Sequence, residues 1–114
     1  MSEGVKTLWD TYDFILGQIV SLESQYSSLI THEEIDFPFR ISEFQETCTR
    51  LNSAYNKQLH TIKELKNFYE DRPEDVPSER EVAVEHLTEL EEVTLDLKDV
   101  IARSLDSFNK IFDN

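Results

Sequence analysis

Val5, Leu8, Tyr12, Ile15, Ile19, Leu22, Tyr26 and Leu29 follow one another at alternating spacings of three and four residues. Three-and-four spacing places all eight on one stripe of an α-helix, because a helix returns to the same face every 3.6 residues. A stripe held through about four heptads cannot be covered by a short neighbour. It calls for long partner helices that wind around it with a slight left-handed twist, as in coiled coils and bundles. Trp9, Leu16 and Ile30 lie beside the stripe and widen it.

Two further stripes occur in the same chain. Ile41, Phe44, Cys48, Leu51, Tyr55, Gln58, Ile62, Leu65 and Tyr69 form the second, flanked by Leu59 and Phe68, and Gln58 alone breaks its apolar rule. A single polar residue in such a seam can fix its register. The third is Leu87, Leu90, Thr94, Leu97, Ile101, Ser104, Phe108 and Ile111, widened by His86, Val93 and Val100 on one side and by Leu105 and Phe112 on the other. So wide a face is expected to touch both other helices.

The stripes stop at proline-bearing segments. Proline lacks an amide hydrogen and disfavours a helical conformation in the residue before it, yet is welcome in a first turn. THEEIDFPF holds Pro38, and YEDRPEDVPSERE holds Pro73 and Pro77. In the second segment Ser78 and Glu81 have capping-box spacing. Two glycines in 114 residues leave little material for hairpins. The expected fold is therefore all-α: one domain over 1–114, an antiparallel up-down-up three-helix bundle with coiled-coil-like heptad packing, its helices at about 3–31, 38–69 and 78–112.

Charge narrows the function. The chain carries 24 acids against 11 bases, a formal charge of −13, which opposes direct contact with nucleic acid or anionic lipid. No apolar run approaches the roughly 20 residues that cross a bilayer. One cysteine, Cys48, and the absence of a signal-peptide pattern lead us to expect a reducing compartment, cytoplasmic or nuclear. The second helix carries five bases against four acids, whereas ten acids and four bases follow from Glu79 onward. That contrast favours pairing of helices two and three.

The search for chemistry returns bland readings. Cys48 sits in an apolar seam, far from any helix N-terminus that would lower its pKa, and reads as a small buried hydrophobe. His32, His60 and His86 are scattered. The cluster His32, Glu33, Glu34 and Asp36 lacks the ligand spacing and glycine turn of a calcium loop. Gly4 and Gly17 belong to no phosphate-binding pattern. No catalytic, cofactor-binding or metal residue is assigned, and no enzymatic activity is expected.

Two surface features remain. Phe14, Gly17, Ser21, Ser24, Ser28 and Thr31 form a line on the first helix away from its seam, and small residues let another helix approach closely. With Val20 beside them, Phe14, Gly17, Ser21, Ser24 and Ser28 are the candidate partner-binding residues; the plainer account is a weakly polar wet face with two stray apolar residues. On the third helix, Glu85, Glu89, Glu92, Asp96 and Asp99 form an acidic stripe opposite the leucines. Its plain reading is a solvated helix face, and its functional one a site for a basic partner.

EEIDF at 33–37 and EDVPSERE at 74–81 resemble break segments in the N-terminal three-helix regulatory domains of some syntaxin-type SNARE proteins. That resemblance covers some 13 residues and implies a regulatory domain of a membrane-trafficking protein. Three functional expectations result. The first is a non-enzymatic adaptor or scaffold module whose partners are other helical proteins, in a homo- or hetero-oligomer. The second is an acidic electrostatic binder, either a nucleic-acid mimic or a chaperone of a basic protein. The third is the SNARE-like regulatory domain.

Overall fold

In a computed structural model the chain forms three α-helices, α1 (Ser2–Thr31), α2 (Phe37–Glu70) and α3 (Pro77–Phe112). The structure describes residues 2–31, 37–70 and 77–112, with side chains for 4–30, 42–70 and 81–110. No strand occurs among the described residues. The helices are 30, 34 and 36 residues long and pack into a rod of 58 × 22 × 18 Å.

Pro38 falls in the first turn of α2, and Pro77 opens α3. A first-turn proline gives up an amide hydrogen that no helical carbonyl could have accepted. The expected start at Ser78 is thus one residue late, because the proline itself serves as the opening helical residue. The expected breaks, His32 among them, fall largely on residues outside the described ones.

Helix α2 is the central element. It packs along α1 on one flank and along α3 on the other, whereas no Cα atom of α1 comes within 8 Å of one in α3 among the described residues. The buried seam of α2 comprises Phe44, Cys48, Leu51, Tyr55, Gln58, Ile62 and Leu65. Fully burying a side chain such as Leu51, Ile62 or Leu65 contributes roughly 1.5 to 3 kcal/mol, so this one helix supplies much of the stabilisation.

The core divides into two clusters. One joins Ile15 and Ile19 of α1 to Phe44, Cys48, Leu51, Ala54 and Tyr55 of α2 and Ile101 of α3. The other joins Tyr12, Ile62, Leu65 and Leu87, with Val5, Leu8, Trp9, Tyr69 and Leu90 packed against it. Gln58 lies in the α2 seam between them. At one end, the rings of Phe44 and Phe108 stack with centroids 4.4 Å apart, and Tyr26 tilts against Phe44 at 5.6 Å.

The wide face expected for α3 needs correction. Leu87, Thr94 and Ile101 are buried, but His86, Val93 and Val100 are exposed, and Leu97 stands at the edge of the core. The reason is geometric. With α2 between them, α1 and α3 meet only through long side chains, such as Tyr26 to Ser104 at 2.6 Å between hydroxyls, and the flank of α3 beyond that contact is uncovered.

Candidate functional site

Interior polar groups come first, since burial is where chemistry would be tuned. Gln58 is 1% exposed; its Nε2 donates to the Tyr12 carbonyl at 3.3 Å, and its Oε1 meets no protein donor. Thr94, also buried, donates to the carbonyl of Leu90 one turn back. The Tyr55 hydroxyl donates to Glu23 Oε2 at 2.9 Å, and the Trp9 indole donates to the Tyr69 hydroxyl at 3.0 Å. Each of these ties one helix to another or to itself. None places a nucleophile beside a base.

Cys48 is wholly buried in the larger core cluster. Burial disfavours the thiolate and pushes the thiol up to about 11. Burial likewise raises the Tyr12 phenol, helped by the charge of Asp13, and raises Tyr55, helped by its bond to Glu23. Perturbation of this direction keeps the groups neutral and suits packing.

His60 is exposed and lies 2.8 Å from Glu64, while His86 is exposed on α3. His32 and its acidic neighbours lie outside the described residues. Among the described residues no three acidic, histidine or cysteine side chains converge as a metal site would require.

The line proposed on α1 separates into parts. Phe14, Gly17 and Ser21, with Asp13, Gln18 and Leu22, line an open groove whose other wall is Arg50, Ser53, Ala54 and Lys57 of α2. An added Cβ at Gly17 would meet nothing within 4 Å, so this stretch of α1 is open to approach. Ser24 and Ser28 are exposed further along. Val20 is exposed as well but lies on another flank, one turn from Leu16.

The acidic stripe is on the surface as its spacing requires: Glu85, Glu89, Glu92, Asp96 and Asp99 are all exposed. Asp99 pairs with Arg103 at 3.0 Å. The expected attraction between α2 and α3 takes the form of Lys66 to Glu91 at 3.7 Å, with Glu91 outside the stripe. Arg50 to Glu46 and Lys110 to Asp106 instead run along single helices.

The sequence reading did not single out the apolar flank of α3. Val82, Val93, Leu97 and Val100 are exposed there, Leu95 is exposed on the opposite flank of α3, and on α1 so are Phe14, Leu16, Val20 and Ile30. Among the described residues, no large exposed hydrophobic side chain falls on α2. The signal was present in the width of the third stripe, but width alone does not say which part of it will be covered.

The class that fold and surface define is an all-α three-helix bundle with two partly apolar outer helices. Comparison of the chain with protein-family models, with curated proteins and with solved structures finds no match. No described helix is long and apolar enough to cross a membrane.

Proposed function

We propose that this protein is a non-enzymatic interaction module, an adaptor or scaffold subunit that presents the faces of its outer helices to other helical proteins in a reducing compartment. The observation that carries this reading is the placement of exposed apolar side chains. Among the described residues they lie on α1 and α3, the two outer helices, while the apolar residues of α2 go to the core or its edge. A concentration of that kind on a soluble surface marks contact with other chains more than scattered single residues would. The interior supports it: its polar groups bond helix to helix, and its cysteine is buried with a raised pKa.

The test uses the full chain as bait, beside Phe14→Glu and a variant with Glu89, Glu92 and Asp96 neutralised to Gln, Gln and Asn. Apolar docking holds in about 0.5 M salt, where exposed charge attraction is strongly screened. We expect retained partners at high salt and for the neutralised variant. Loss of all partners in both would refute the module reading in favour of an electrostatic binder. The exposed acidic row is the observation on which that second reading, of a nucleic-acid mimic or basic-protein chaperone, stands. The SNARE-like regulatory reading rests on segments largely outside the described residues, and the described helices add nothing to it.

A further inference from the structure

Each outer helix has two flanks beside its buried seam, and contacts with α2 identify one flank of each. On α1, Gly4 approaches Phe68, and Gln18 shares a groove with Arg50 and Lys57. On α3, Glu91 reaches Lys66, and Asn109 accepts from Gln45 Nε2 at 2.9 Å. The remaining flank of α1 therefore faces the remaining flank of α3 across a cleft. Leu16 and Ile30 line the α1 side, with Trp9 and Glu23, which bond Tyr69 and Tyr55 of α2, at its floor; His86, Val93 and Val100 line the α3 side, and both rows repeat at seven-residue intervals. The bond from Tyr26 to Ser104 sets these two parallel helices in register and places Leu16 within one residue of the level of Val93, and Val20 within one residue of that of Leu97.

The composition of the flanks is inverted relative to their burial. Where they close against α2 the contacts are mostly small or polar: Thr47, Ala54 and Thr61 are buried on α2, and Gln45, Lys66, Glu91 and Lys98 are half-buried between α2 and α3, while Phe14 and Leu95 are exposed apolar residues on the α2 side. The open flanks hold the apolar residues, with Leu16 at 41%, Val20 at 58%, Val93 at 55% and Val100 at 57% exposure. Charge surrounds them on both sides. Glu23 borders the strip on α1, and Glu89 and Asp96 border it on α3, where Arg103 is engaged by Asp99.

The geometry points to the α1–α3 cleft as the seat of a fourth helix, contributed by a partner protein, with an apolar stripe flanked by lysine and arginine. Such a helix completes a four-helix bundle. Its apolar stripe covers Leu16, Val20, Val93, Leu97 and Val100, and its bases meet Glu23, Glu89 and Asp96. From the level of Val82 to that of Ile30 the cleft spans about 26 residues of helix, or about 39 Å, enough for more than three heptads. A second copy of this chain fits poorly, since pairing the two clefts would set these acids against one another. The inference rests on the module reading and assigns it a surface distinct from the Phe14 groove.

The experiment titrates full-length protein with a synthetic 28-residue helical peptide carrying leucines at heptad a and d positions and lysines at e and g. A scrambled peptide of the same composition is the control, and fluorescence anisotropy and the thermal midpoint are the readouts. Expected results are binding that raises the midpoint, at least tenfold weakening by Leu16→Asp and by Val93→Asp, no effect of Phe14→Glu, and little binding of the scrambled peptide. Both Asp variants alter exposed positions, and their circular dichroism should match that of the wild type. Equal binding of the scrambled peptide, or no binding of the designed one, overturns the inference. Weakening by Phe14→Glu alone overturns the cleft while sparing the module reading. A concentration-dependent dimer in sedimentation equilibrium that Val93→Asp dissolves also overturns it, since the occupant is then a second copy.

Discussion

Gln58 reaches across the bundle to donate its Nε2 to the carbonyl of Tyr12 at 3.3 Å, and it does so between the two apolar clusters of the core. Its Oε1 meets no protein donor, so the residue brings one long hydrogen bond and one desolvated acceptor. A buried polar group left half-satisfied costs about 1 to 3 kcal/mol. We predict that Gln58→Met, similar in volume and shape, raises stability by about 1 kcal/mol in urea denaturation. If Gln58 fixes register, the same variant shows broadened core resonances in NMR. A destabilised variant with sharp spectra would mean that the amide is a net stabiliser with no role in specificity.

Tyr55→Phe removes the phenol that donates to Glu23 while leaving the ring in the core. Glu23 is half-exposed and regains water, so the loss is about 1 kcal/mol rather than the larger figure for a buried charged acceptor. Thermal unfolding checks it. An unchanged midpoint would show that the link from α1 to α2 carries no net energy.

Cys48 should resist a thiol reagent in the native state and react fully in denaturant, since its side chain is buried and its pKa is raised to about 11. The thiol holds its proton longer in the folded chain than at its ordinary value of 9.0. Its contribution to stability is therefore complete below pH 9 and declines as pH rises from 9 towards 11, by up to roughly 1.4 kcal/mol per pH unit. Urea midpoints for wild type and Cys48→Ala across pH 8 to about 10.5 test the sign: the wild type should fall more steeply. Parallel curves would remove Cys48 from the alkaline transition.

Neutralising Glu89, Glu92 and Asp96 removes like charges at spacings of three and four on one exposed face. We expect an unchanged circular dichroism spectrum and a higher thermal midpoint at low salt. The difference should vanish near 1 M salt, where the screening length is about 3 Å. A lower midpoint at low salt would show that the row has attractive partners within the chain.

The three helices were legible in the sequence, because a heptad seam and a proline near a helix start act locally. Val5 to Leu29 had to form one stripe whatever its neighbours, and Pro38 was expected at a helix start, whereas Pro77, expected just ahead of the third helix, opens it. The burial of Cys48 and Gln58 followed from their places in a seam, and the exposure of Glu85 to Asp99 from lying opposite one. Pairing between helices was another matter. Spacing states which residues share a face, but only the three-dimensional arrangement decides which neighbour covers each side of it. Val93 and Val100 have the same credentials in the sequence as Leu105, yet Leu105 is covered by the core around α2 and the two valines are exposed. That outcome depends on α2 standing between α1 and α3, with the long side chain of Tyr26 reaching Ser104 across the gap. Apolar periodicity is a property of one helix, whereas coverage is a property of the distance between two.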